Sequence, residues 1–227
     1  MDNIRLIDLN TEIFADNDNC AEEIREQLKA TNTFMVNVMA SPGSGKTSVI
    51  LSTIDQLRGQ FRTAVVEGDI ESSVDSEKIA AAGVQAVQIN TRGSCHLDAV
   101  VVQKALQGLP LAELDIVFIE NIGNLVCPAE FDIGESFKVM ILSVPEGDDK
   151  IQKYPLMFTV SDALIINKVD YLPDEGFDVE RLRSRAKKLN PNIKVFEISC
   201  RTGKGVKEWS QWLASQRKTK AKWPTLI

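Results

Sequence analysis

The chain has 227 residues, 44% of them hydrophobic and 26% charged, and a net charge of −6 at neutral pH. That size and balance fit one well-buried domain and exclude a globally disordered chain, while the acidic excess argues against nucleic acid as a partner. No apolar run approaches a membrane span, Met1 to Asn10 has acids where a secretory signal needs an apolar core, and four cysteines are too few for a disulfide scaffold, so a cytoplasmic protein with thiol or metal-ligating cysteines is predicted.

Residues 1–31 read as a lead-in with one helix from about Cys20 to Lys29. After it, apolar runs alternate with helical patterns. Strands are predicted over 34–39, 63–67, 84–89, 115–120, 137–144, 163–167 and 194–199, and helices near 46–58, 75–82, 97–107, 179–189 and 205–216. Val, Ile and Phe dominate several of the strands, as in a parallel sheet covered on both faces. The alternation predicts an α/β fold, a doubly wound, mostly parallel sheet flanked by helices, with ligands gathered beyond the carboxyl ends of the strands. The main domain is placed at 32–216, and 217–227 is a tail that is basic and then apolar.

The first strand, Phe34 to Met39, runs into Ala40-Ser41-Pro42-Gly43-Ser44-Gly45-Lys46-Thr47, and a helix follows. Strand, Gly-rich turn, Gly-Lys-Thr and helix make a phosphate-binding P-loop. Backbone N–H groups and the positive end of the helix dipole favour a polyphosphate there, which marks Pro42, Gly43, Ser44, Gly45, Lys46, Thr47 and Ser48 as binding residues. Lys46 is expected to reach the outer phosphates and the Thr47 hydroxyl to ligate Mg²⁺. Ala40 replaces the first glycine of the pattern, which is tolerated if its φ stays negative.

Hydrolysis needs further acids. Glu67-Gly68-Asp69 ends the second strand, Asp75 follows six residues after Asp69, and Asp115 to Glu120 is a Walker-B-like strand. Asp75 and Glu120 are assigned as ligands of Mg²⁺ or of its waters, and Asp69 as the acid that orients the attacking water. Gly123, in Asn121-Ile122-Gly123-Asn124, is expected to free the backbone for a conformational change.

Asn167-Lys168-Val169-Asp170 ends the sixth strand and specifies the base. A carboxylate at Asp170 accepts from guanine N1–H and its 2-amino group, donors that adenine does not offer in that arrangement, so GTP is favoured over ATP. Asn167 braces the loop, the Lys168 stem covers the ring, and the turn at Ser199-Cys200-Arg201 closes the pocket with backbone amides.

The single histidine, His96, adjoins Cys95, and Cys127 comes seven residues after Glu120. Two thiolates and an imidazole suit Zn²⁺ or Ni²⁺. The same spacing is compatible with three unrelated residues, Cys127 then being a small buried hydrophobe. Cys20 and Cys200 lack neighbouring ligand types and read as structural.

Taken in order, the Ala40–Thr47 loop, Glu67-Gly68-Asp69-Ile70, Ser94-Cys95-His96-Leu97-Asp98-Ala99, Glu120 through Cys127-Pro128, and Asn167–Asp170 resemble the HypB family of hydrogenase nickel-incorporation GTPases, in the SIMIBI branch of P-loop GTPases, over roughly 34–205. The resemblance implies a GTP-hydrolysing nickel metallochaperone. It would serve the large subunit of a [NiFe]-hydrogenase together with the zinc-containing accessory protein HypA. It also assigns Cys95, His96 and Cys127 to nickel or zinc at a GTP-favoured homodimer interface. Departures from the family pattern are the absence of Cys-rich or His-rich sequence in residues 1–31, which predicts no nickel storage there, and Ser72-Ser73 where a threonine is expected nearby. The closeness of Glu120 to Cys127 predicts that metal and nucleotide are coupled. Arg92, Lys150 and Lys153 stand in loop-like contexts and read as solvated surface; no arginine finger is assigned, so slow intrinsic turnover is expected. Three rivals are a P-loop kinase, a zinc-stabilised GTP-binding dimerisation module with little turnover, and a GTPase for another metal cofactor.

Overall fold

The computed structural model describes residues 9–69, 74–91 and 93–220. In chain order its elements are α1 (Leu9–Thr31), β1 (Phe34–Ala40), α2 (Lys46–Leu57), β2 (Thr63–Asp69), α3 (Val74–Ala81), β3 (Gln85–Asn90), α4 (Ala99–Leu106), β4 (Ile116–Glu120), α5 (Cys127–Glu130), β5 (Phe137–Ser143), α6 (Lys150–Lys153), α7 (Pro155–Val160), β6 (Ala163–Asn167), α8 (Leu172–Glu175), α9 (Val179–Leu189), β7 (Lys194–Glu197) and α10 (Val206–Lys220). The strands form one parallel sheet in the order β3-β2-β4-β1-β5-β6-β7. From β1 the chain goes to β2 and out to β3, returns as β4 between β2 and β1, then crosses to β5 on the other side of β1 and works outward there. That reversal opens a crevice beyond the carboxyl ends of β1 and β4, where such sheets bind ligands.

Strand β1 shows why the fold needs two helical layers. Its alternate residues Phe34, Val36, Val38 and Ala40 face α2 (Val49, Ile50, Ile54) and α10 (Trp209, Leu213). Met35 faces the other way, into Ala21, Ile24 and Leu28 of α1 and Val102 and Leu106 of α4, and Met39 joins Phe158 of α7 and Leu182 of α9. Every β1 position is buried, so the usual alternation of polar and apolar residues is lost. Its one polar residue, Asn37, is satisfied by donating to Glu135 Oε1 at 3.1 Å. Helices α4 and α9 start where an aspartate accepts from the third following amide: Asp98 from Val101 N, Asp178 from Arg181 N.

The fold class matches the expectation, with differences at the ends. Helix α1 begins at Leu9, well before residue 20, and α10 continues to Lys220. Strand β7 stops at Glu197 because Ser199 N turns away to Lys204 O (3.0 Å). Strand β5 stops at Ser143, where Ser143 and Glu146 cap a 3-10 turn. Lys150 and Lys153 lie on α6, not in a loop, and Lys153 pairs with Asp149 at 2.6 Å. Ser72-Ser73, Arg92 and residues 221–227 lie outside the described residues. Among the described residues, no helix is long and apolar enough to cross a membrane.

Candidate functional site

The loop between β1 and α2 is held in shape from inside. Ser44 Oγ donates to Ser41 O (2.7 Å), Asn167 Nδ2 to Ser44 O (2.9 Å) and Lys168 Nζ to Gly43 O (2.7 Å). Gly45 has φ 94°, and a Cβ there would fall 2.7 Å from Asn167 Nδ2, so strain and space both require glycine. Ala40 ends the strand without a positive φ. The amides opening α2 therefore face a cleft of about 230 Å³ lined by Gly43, Gly45, Lys46, Thr47, Ser48, Leu51, Lys78 and Glu120. Thr47 Oγ1 donates to Glu120 Oε1 at 2.8 Å. A hydroxyl and a buried carboxylate thus meet where β1 and β4 end, a pair of hard oxygen donors that fits Mg²⁺ beside a polyphosphate.

Gly45 and Ser48 also line a second cleft of about 190 Å³, with Asn167, Lys168, Asp170, Tyr171, Cys200 and Arg201. Ser199 Oγ donates to Asp170 Oδ1 at 2.6 Å. This hydrogen bond holds the Asp170 carboxyl below its ordinary range, so it stays an acceptor at neutral pH. Burial pushes the Cys200 thiol up.

Beyond Glu120 the chain enters the second part of the site. Asn121 N donates to Val38 O (3.0 Å), and its side chain donates to Asn37 Oδ1 (3.1 Å) and accepts from Leu97 N (3.3 Å). Gly123 lies against the P-loop: a Cβ there would be 2.8 Å from Pro42 N and 3.0 Å from Pro42 Cα. Its φ is not in the left-handed region, so in this conformation glycine is required by the packing against Pro42. Four residues later Cys127 opens α5, and its Sγ lies 3.0 Å from Cys95 Sγ, which is 3.5 Å from His96 Nδ1. The three ligand atoms fall within 4.8 Å of one another. The hydrogen bond that Cys95 donates to Cys127 raises the Cys95 thiol, and burial lowers His96, whose ring stacks on Phe131 at 3.8 Å. Neutral imidazole is the form that binds a metal. This S₂N set fits a soft-to-borderline ion such as Ni²⁺ or Zn²⁺.

Residues 34–197 match the nucleotide-binding domain shared by CobW, HypB and UreG. The hydrogenase maturation factor HypB of Azotobacter vinelandii is 47% identical over 216 residues, which cover 95% of this chain and 71% of that relative. The chain belongs to the HypB family. A crystal structure of Helicobacter pylori HypB in complex with nickel aligns with a TM-score of 0.87 at 35% identity, covering 93% of this chain and 100% of that one. HypB from Archaeoglobus fulgidus aligns at 0.84 and 39% identity, covering 89% and 99%.

Within this HypB-family chain, the fold gathers Lys46, Thr47, Ser48 and Glu120 at one cleft, Asn167, Lys168, Asp170, Cys200 and Arg201 at the next, and Cys95, His96 and Cys127 at a third point. Pro42 packs on Gly123, Ser44 turns its hydroxyl into its own loop, and Ser199 donates its hydroxyl to Asp170. Of Asp69 and Asp75 only the backbone is described, at the end of β2 and in α3; their side chains lie outside the described residues. Lys78 of α3, Leu51 and Tyr171 line the clefts without having been marked by any motif. Lys78 had one faint signal, a base in the last turn of the helix after β2.

Proposed function

We propose that this chain is a GTP-hydrolysing nickel metallochaperone that assists nickel insertion into the large subunit of a [NiFe]-hydrogenase. The observation that carries the reading is the gathering of Cys95, His96 and Cys127 within 4.8 Å, with Cys127 on the loop that leaves Glu120. The nickel named for the H. pylori relative, and the hydrogenase maturation role named for the A. vinelandii one, agree with it. Nickel is the cargo here; zinc is an alternative occupant of the same donor set.

In this reading, residues 32–216 are the GTPase domain, with 1–31 a helical lead-in and 217–227 a tail. Asp170 reads guanine, Asn167 and Lys168 tie the base loop to the P-loop, and Ser199, Cys200 and Arg201 close the pocket. Lys46 and the α2 amides hold the phosphates. Thr47, Glu120 and Asp75 hold Mg²⁺, which neutralises phosphate charge when bound, and Asp69 orients the water. A shift of the β4–α5 loop against Pro42 moves Cys127, which couples metal to nucleotide. GTP-favoured homodimerisation, a HypA-type partner and a cytoplasmic setting complete the proposal.

Nickel titration tests it, once with GDP and once with a non-hydrolysable GTP analogue. The expected result is a difference in affinity between the two states of about five- to 150-fold, and loss of the site in Cys127→Ala. Equal affinity and stoichiometry in both states would reject the coupling, and full nickel binding by Cys127→Ala would reject the ligand assignment.

A further inference from the structure

The two segments that carry the metal ligands belong to different crossovers, Cys95 and His96 after β3 and Cys127 after β4, and β2 separates those strands in the sheet. Something must hold them in register. Asn124 Nδ2 donates to Cys95 O at 3.1 Å, while its Oδ1 accepts from Val126 N at 2.9 Å. One amide therefore fixes the start of the turn that delivers Cys127 and grips the backbone of the other thiol. On the far side of His96, Leu97 N donates to Asn121 Oδ1 at 3.3 Å. The His96 residue is bracketed by these two bonds, one to its preceding carbonyl and one to the following amide. Both brackets come from the Glu120–Cys127 loop. Asn121 is fully buried and anchored to β1 through Val38 O and Asn37 Oδ1.

We infer that Asn124 is a positioning residue of the metal site: its amide locks the Cys95 backbone to the Cys127 turn and so sets the separation of the two thiols, with Asn121 as the buried anchor. The inference rests on the reading of Cys95, His96 and Cys127 as ligands. Asn124 is not a ligand; it acts through backbone groups. Supporting hydrogen bonds around metal ligands typically change affinity about 10–100-fold when removed. A loose clamp also lets the two loops move independently, which weakens the link between nucleotide and metal.

The half-exposed position allows substitution without opening the core. Asn124→Ala removes both bonds. Asn124→Asp keeps the acceptor for Val126 N but loses the donor to Cys95 O, and its added charge attracts cations, so a loss of affinity in that variant is the more stringent result. Nickel binding is measured for the full chain with GDP and with a GTP analogue, together with the thiolate-to-nickel absorption per bound ion and the affinity for a fluorescent GDP. The expected result is about a tenfold loss of nickel affinity in both variants, an altered absorption spectrum, a smaller difference between nucleotide states, and unchanged GDP binding. Nickel affinity within twofold of wild type with an unchanged spectrum overturns the inference. An equal loss of GDP affinity also overturns it, making Asn124 a general brace of the loop. Cys127→Ala is the control for the underlying reading: if it retains the nickel site, the ligand assignment fails first and the positioning role falls with it.

Discussion

The Asp170 carboxylate is held in its ionised form by a hydroxyl more than by a cation. Arg201 Nη1 is 3.8 Å from Oδ2 and the arginine is 79% exposed, so that pair contributes little. The Ser199 hydroxyl at 2.6 Å is a short bond to a carboxylate, of the strong kind. It favours the ionised form and holds the Asp170 pKa down. The sign follows for the proposed guanine-reading role: binding that needs the ionised acceptor is present above the Asp170 pKa and is lost as pH falls through it. In Ser199→Ala the pKa returns toward its ordinary value of about 3.9, so the acid edge of nucleotide binding moves to higher pH. Affinity at neutral pH falls less, because Asp170 is ionised there in both proteins. Fluorescent GDP titrations from neutral pH to well below the ordinary carboxylate value of about 3.9 read the edge; an edge that stays in place means Ser199 does not tune Asp170.

At the scale of elements, the pairing of α2 with α10 rests on a polar contact inside an aromatic cluster. Trp209 packs with Trp212 and Phe196, their ring centroids 5.1–5.9 Å apart. Its Nε1–H donates to Thr53 Oγ1 at 2.9 Å, both residues being buried. In Thr53→Val the indole N–H loses its partner away from water, which costs about 1–3 kcal/mol. Denaturant unfolding followed by tryptophan fluorescence measures this, and the double variant with Trp209→Phe is expected to lose less than the sum of the two single changes, because the orphaned donor is gone. Strict additivity would mean the bond contributes nothing. The same elements show what was legible in the sequence. The strands and the P-loop are written locally, as unbroken apolar runs and a Gly-Lys-Thr turn. Helices α5 to α8 have four to six residues each, too few to show a helical period. The metal trio looked ambiguous because its gathering depends on sheet order and on Asn121 and Asn124, none of which leaves a spacing to read. The approach of Pro42 to Gly123 is likewise a tertiary contact that leaves no local pattern to read.

At the scale of the whole molecule, the end of the sheet opposite the site is closed by one charged knot. Asp115, just before β4, accepts from Arg62 N and Nε at 2.9 and 3.1 Å and lies 3.7 Å from Arg217 Nη2 of α10, which also donates to Asn32 O at 2.8 Å. The end of α1, the starts of β2 and β4, and α10 thereby share one carboxylate. Burial raises the Asp115 pKa, but the Arg62 hydrogen bonds and the charges of Arg62 and Arg217 outweigh it and hold the group below its ordinary range. A depressed folded-state pKa contributes stability that is fully present above the unfolded value of about 3.9 and is lost as pH falls through the folded one. Arg62 is 61% exposed, so its pairing with Asp115 is screened by solvent, and Asp115→Asn is expected to be less stable at neutral pH by at most about 1 kcal/mol, with Tm lower by about 2–4 °C for each kcal/mol. Below about pH 4 the two proteins converge as the wild-type carboxylate takes up its proton. Tm measured for both across that range decides the matter: a gap that stays constant with pH would show that the loss comes from packing, and that the sheet is not held at this end by charge.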